Sequence, residues 1–163
     1  MRLIVIRHAR AKERDAMQWP DDALRPLTKG GRRAFARLAS RLPSWIDPPQ
    51  VVLSSGWLRA WDTAAVLSSE AGWPRAVREV ALETEGGERA VTAILAALRT
   101  RAAQDPVAVV GHEPALGELV GRLLGGSAMV VFRKGAVALL QVDPVEGRGS
   151  LLALVPPEAV ERP

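Results

Sequence analysis

The chain has two histidines, and each directly follows an apolar, β-branched run: Leu3-Ile4-Val5-Ile6-Arg7-His8 near the start and Val107-Ala108-Val109-Val110-Gly111-His112 downstream. Imidazole acts as a nucleophile, proton carrier or metal ligand near neutral pH. The guanidinium fork suits phosphate oxygens. Arg7 adjoins His8, and Arg59 stands where a helical pattern begins, so that its side chain and the free backbone amides can both meet an anion. Arg10, Lys12 and Arg14 add positive charge around the first histidine, opposed by Glu13 and Asp15. That balance favours an anionic ligand. Metal-free phosphoryl transfer needs cationic donors around the equatorial oxygens and a nucleophile in line. Arg7, Arg59 and His112 supply the first, and His8 supplies the second by forming a phosphohistidine that water hydrolyses.

Other uses of these residues are weighed on the same terms. Paired histidines also hold metals, but catalytic zinc takes three protein ligands. With no evident third ligand, no metal or other cofactor is expected. Ser55 reads as a helix cap because no Gly-x-Ser-x-Gly elbow surrounds it, and Arg25 reads as a loop charge.

Positioning falls to the elements around the histidines. Runs of this kind are strands buried on both faces, and both imidazoles then lie at the carboxyl ends of parallel strands, the edge where open α/β sheets bind ligands. The first strand spans residues 2–6, and a polar loop runs from Arg10 through Trp19-Pro20 and Asp21-Asp22 to Arg25-Pro26-Leu27. Thr28 caps a helix with Phe35, Leu38, Ala39 and Leu42 on one face, stopped by Pro43. A strand at 50–54 leads into a helix whose inward face is read as Leu58, Trp61, Ala65 and Leu67, ending at Gly72. A short strand at 77–82 and a loop at 83–87 precede a helix with Val91, Ile94, Leu95 and Leu98 inward. After the second histidine strand, Pro114 opens a helix burying Leu116, Leu119, Val120 and Leu123. The tail reads as two strands, one around 130–132 leading to 137–142 and one at 151–155, antiparallel across a turn at 144–149. The expected fold is α/β: a single-domain layered sandwich over 1–163, its mostly parallel sheet flanked by helices, with antiparallel strands at the C-terminal edge.

Bulk properties narrow the function classes. At 163 residues, 48% hydrophobic and 25% charged, the sequence suits one globular domain. The chain lacks cysteine, which excludes disulfides and Cys-ligated zinc. No apolar run is long enough to span a bilayer, and the apolar start is too short for a signal peptide. A cytoplasmic protein without a membrane partner is expected. The net charge of +4 comes with no Tyr and two Phe, too few aromatics for a base-stacking platform. Nucleic acid is not an expected partner.

These residues resemble the histidine phosphatase superfamily, also called phosphoglycerate-mutase-like, and within it the small SixA-type phosphohistidine phosphatases. Arg7-His8-Ala9 stands at the Arg-His-Gly signature, and Arg25-Pro26-Leu27-Thr28 with Gly31 is similar to the leucine-threonine-glycine helix start. Ser55 to Thr63 resembles Ser-Pro-x-x-Arg-Ala-x-x-Thr, and Gly111-His112-Glu113-Pro114 resembles the second histidine motif. The resemblance covers the chain to about Gly126. It implies that His8 is the nucleophile, that Arg7 and Arg59 clamp the phosphoryl oxygens, and that His112 is the second pocket histidine, all four being phosphate-binding. Ala9 and Arg10 depart from the pattern, and an alanine at a site requiring positive φ would be strained. Glu83 and Glu85 are the candidates for a general acid. Larger members roof the pocket with insertions for which this chain has little length. The resemblance thus implies a phosphorylated protein carrying phosphohistidine as the substrate, with a small phosphomonoester or a non-catalytic phospho-ligand binding role as the alternatives.

Overall fold

The structure is a computed structural model that describes residues 1–126 and 129–160. Its elements alternate as the apolar pattern requires: β1 (Arg2–Arg7), α1 (Lys29–Ala39), β2 (Val51–Ser54), α2 (Leu58–Ala71), β3 (Val77–Arg78), α3 (Glu88–Arg99), β4 (Val107–Gly111), α4 (Ala115–Leu123), β5 (Val137–Asp143) and β6 (Arg148–Val155). They build one six-stranded sheet in the order β3-β2-β4-β1-β5-β6. The β3, β2, β4 and β1 pairings are parallel, and β5 and β6 close one edge antiparallel. This is the expected α/β sandwich.

Alternation along β1 separates two cores, because successive side chains of a strand point to opposite faces. Leu3 and Val5 pack with Ile94 and Leu98 of α3 and Leu116 and Val120 of α4. Ile4 and Ile6 pack with Phe35 and Leu38 of α1 and Ala64 and Leu67 of α2. One helix pair therefore covers each face. Adjacent strands β1 and β4 send their chains to opposite faces, which opens the crevice at their carboxyl ends.

The start of α1 is built as read. The Thr28 hydroxyl accepts from the Gly31 amide at 2.9 Å, and the Arg10 carbonyl accepts from the Thr28 amide at 3.0 Å. A Cβ on Gly31 would stand 2.2 Å from that carbonyl, so only glycine lets the loop after β1 lie against the helix. Gly72 ends α2 with φ of +68°.

Some expectations are corrected. In α2 the buried face is Arg59, Ala60, Thr63, Ala64, Val66 and Leu67, while Trp61 is exposed. The helix is turned from the apolar reading because its inward side carries Arg59 and Thr63, whose polar groups belong to the region around the histidines. Residues 77–82 give a two-residue strand followed by a 3-10 turn, Val80–Leu82. The first helix ends at Ala39, and Leu42 is buried from a separate 3-10 turn. The tail strand starts at Val137 and does not include 130–132. The backbone of that segment is bonded elsewhere: the Val130 amide donates to the Gly117 carbonyl and the Phe132 amide to Glu113 Oε1, both at 3.0 Å. Phe132 is fully buried in the core on the α3/α4 side.

Candidate active site

Three neighbouring parallel strands deliver the site. β1 and β4 pair Arg7 with Gly111, so the next residue of each is a histidine. The His8 amide then donates to the Gly111 carbonyl at 3.0 Å. The two rings lie with centroids 5.2 Å apart, inclined by 54°. From β2 beside them, Ser55 donates its amide to the Val110 carbonyl at 3.0 Å. The turn after it carries Trp57 and Arg59 to the same place.

Hydrogen bonds orient both rings and fix the tautomer of His8. His8 Nδ1 lies 2.7 Å from the Ala9 carbonyl, which can only accept. The Nδ1 proton is therefore committed, and Nε2 keeps a bare lone pair. His112 Nε2 lies 2.8 Å from Ser55 Oγ. That oxygen also accepts from the Trp57 amide at 3.2 Å, and its own proton can be directed at His112 Nε2. In that arrangement the His112 proton sits on Nδ1. Ser55 is not the helix cap expected of it, since Trp57 is the N-cap of α2 and no side chain caps that end; its hydroxyl closes the turn before the helix and meets His112. Trp57 packs on His112 with centroids 4.6 Å apart, and the Arg59 guanidinium lies 4.8 Å from the Trp57 ring centroid.

Burial and surrounding charge keep both imidazoles neutral. His8 is 5% exposed and His112 is 3% exposed. Loss of hydration, then the positive charges of Arg59, Arg7 and Arg25, take His8 down to about 3, although its bond to Ala9 pulls the other way. Loss of hydration, then His8 and Arg59, take His112 down to about 2, opposed by Asp22. Neither ring carries charge at pH 7.

Arg7, His8, Arg59 and His112 line one cavity of about 190 Å³, together with Arg14, Asp22, Arg25, Trp57, Glu85, Glu113 and Lys134. Arg7 Nη1 donates to the Phe132 carbonyl, so the segment around Phe132 holds this guanidinium from behind. Arg59 Nη1 donates to the Asp22 carbonyl at 2.7 Å, and Nη2 meets the Asp22 carboxylate at 3.1 Å. The same carboxylate takes Arg25 Nε at 2.8 Å. Its acidity is strengthened by Arg25 first, then by Arg59 and Arg14. Arg7 Nε, Arg59 Nε and His112 Nδ1 are buried donors with no protein partner. Guanidiniums and imidazoles that line one cavity suit a tetrahedral oxyanion.

Several sequence readings change here. Arg25 is a wall of the cavity and not a free loop charge. Asp22 and Trp57 were not singled out, because only the folded loop and turn bring them in. Glu113 was missed although it adjoins His112; burial raises its carboxyl, and Oε1 holds the Phe132 amide. Of the two acid candidates, only Glu85 lines the cavity. Glu83 instead grips Arg78 through Nε at 2.6 Å and Nη2 at 2.8 Å and accepts the Gly56 amide at 2.9 Å. Arg78 therefore holds its carboxyl below the usual range. Ala9 carries no strain, since no non-glycine residue among those described has positive φ. Its amide donates to Thr63 Oγ1 at 3.0 Å. Among the described residues no cluster of His, Cys, Asp and Glu is arranged to hold a metal, and no helix is long and apolar enough to cross a membrane.

Known proteins share the fold of this chain. Among solved structures, the chain superposes with a TM-score of 0.84 on the protein histidine phosphatase SixA complexed with tungstate, at 26% identity over 98% of this chain and 99% of that one. It shares its fold with the α-ribazole phosphatase from Shigella flexneri at a TM-score of 0.73 and 19% identity, over 94% and 96% of the two chains. A mycobacterial glucosyl-3-phosphoglycerate phosphatase complexed with inorganic phosphate gives a TM-score of 0.72 and 16% identity, over 93% and 95%. No curated protein sequence matches significantly. The model of the histidine phosphatase superfamily, branch 1, matches residues 3–89. With Arg7, His8 and Arg59 inside that span and His112 seated against them, the chain belongs to the histidine phosphatase superfamily.

Proposed function

We propose that this chain is a phosphatase that works through a phosphohistidine on His8 and that its substrate is phosphohistidine borne on a protein. The observation that carries the mechanism is the His8 tautomer: Nδ1–H is spent on the Ala9 carbonyl, and the neutral ring keeps the Nε2 lone pair in a cavity that Arg7 and Arg59 also line. In the first step Nε2 attacks phosphorus, a P–Nε2 bond forms, and the bond to the leaving group breaks. Arg7, Arg59 and the Nδ1–H of His112 hold the equatorial oxygens as charge spreads onto them. In the second step water attacks phosphorus, the P–Nε2 bond breaks, and the departing water proton leaves with product phosphate. An alkoxide leaving group would need a proton donor, for which Glu85 is placed in the cavity wall. A leaving imidazole needs less help, because phosphohistidine can leave already protonated on its other nitrogen.

Superfamily membership supports a phosphoric ester hydrolase acting on phosphorylated substrates. Protein phosphohistidine is favoured by the likeness to SixA across nearly the whole of both chains. The test is a panel of a phosphohistidine protein, free phosphohistidine, an aryl phosphate and several sugar phosphates, compared by kcat/KM. The protein is expected to rank first. A sugar phosphate ranking first would replace this substrate, and tight phosphate binding without turnover of any member would make the chain a binding module.

A further inference from the structure

Beside the catalytic cavity runs a larger groove of about 940 Å³, and Lys134 borders both. Five cationic side chains line it, among them Arg10, Lys12, Arg133 and Lys134, against two carboxylates, Glu13 and Glu158. Glu158 is already held by Arg133 at 3.1 Å. Arg10, Lys12 and Lys134 are exposed. The backbone beneath them is fixed: Ala11 bridges to Leu27, the Lys12 amide donates to the Pro26 carbonyl at 2.9 Å, and the Arg10 carbonyl receives the Thr28 amide at 3.0 Å. The groove is also joined to the reaction centre through Ala9, which lines it and whose carbonyl holds His8 Nδ1.

We propose that this groove binds an acidic polypeptide segment adjoining the phosphorylated residue of the substrate. The proposal rests on the protein-phosphohistidine reading and adds what the rest of that substrate must look like. The excess positive charge selects carboxylates, the volume of about 940 Å³ suits a chain segment, and the shared Lys134 places that segment beside the catalytic cavity. The fixed rim reduces the ordering cost of binding. Binding energy gained so far from phosphorus raises selectivity for a substrate that carries the segment.

The experiment uses three phosphohistidine peptides of equal length, with flanks of Asp/Glu, of Asn/Gln, or of Lys, and an aryl phosphate. They are assayed with wild type and with the Arg10→Glu/Lys12→Glu double variant. Wild type is expected to favour the acidic peptide over the neutral one by about tenfold in kcat/KM, as two or three partly exposed charge pairs supply, with the preference shrinking in high salt. The double variant is expected to prefer the Lys-flanked peptide and to keep its aryl phosphate activity. Equal rates on all three peptides, or the same preference in both proteins, would overturn the groove assignment and leave the phosphohistidine reading standing. Turnover of the aryl phosphate with none of the peptides would overturn both.

Discussion

The two buried imidazoles set an acid limit on stability that is calculable from the structure. In the unfolded chain each histidine takes a proton near pH 6.5. In the folded protein His8 stays neutral to about 3 and His112 to about 2. Below pH 6.5 the unfolded state therefore binds more protons, and stability falls as pH falls, until the folded-state values are reached. For His8, lowering the pH from 7 to 4 costs about 3 kcal/mol at 1.36 kcal/mol per unit. His112 adds a similar amount, moderated because the folded site can open locally to take a proton. Against a typical total of about 5–15 kcal/mol, this is a large share. The double variant His8→Asn/His112→Gln removes both titrations while leaving amides to bond the Ala9 carbonyl and Ser55 Oγ. Urea unfolding at pH 7 and pH 4 compares the two proteins, and the carboxylates common to both cancel. The variant is expected to lose at least about 3 kcal/mol less than wild type over that interval. Equal losses would show that the histidines are not buried neutral, and the tautomer argument would fail with them.

Other outcomes follow from the same geometry. Arg59→Ala is expected to lower kcat by about 10²–10³-fold with His8 chemistry retained, and an unchanged kcat in steady-state assays would remove Arg59 from the phosphoryl clamp. Exhaustive chelation is expected to leave turnover intact, because guanidiniums and a neutral imidazole N–H supply what a metal supplies elsewhere; activity lost to chelator and restored by zinc or magnesium would contradict this. Glu85→Gln is expected to slow hydrolysis of an alkyl phosphomonoester by about 10²-fold while sparing phosphohistidine. Glu83→Gln is expected to lower thermal stability and spare both reactions, and the reverse pattern in this pair would exchange their roles.

Much of this was readable from one sequence because the informative residues lie at the ends of strands. Val107 to Val110 can be little but an interior strand, and a residue after such a strand has one place to go. His8 and His112 therefore converge by topology alone. The phase of α2 was misread for a physical reason: its inward face carries Arg59 and Thr63, while Trp61 faces solvent, so hydropathy points the wrong way near the site. Residues 130–132 look like a strand, but their amides bond Glu113 and the Gly117 carbonyl, which no local pattern reveals. Asp22 and Arg25 sit in a polar loop whose composition says nothing of where it folds. Glu113 was legible, since a carboxylate adjoining a candidate catalytic histidine has a short reach to the same cavity. Glu83 and Glu85 are equivalent in sequence and were separated only by Arg78, which holds the first outside the cavity.

The central claim is that His8 Nε2 takes the phosphoryl group. Incubating the protein briefly with a radiolabelled phosphoramidate and quenching in base tests it directly, with wild type beside His8→Asn. Wild type is expected to carry a label that survives base and is lost in acid, located by peptide mapping at His8, and the variant is expected to carry none. A label of the same lability persisting in the variant would move the nucleophile elsewhere, to His112 first, and would contradict the account.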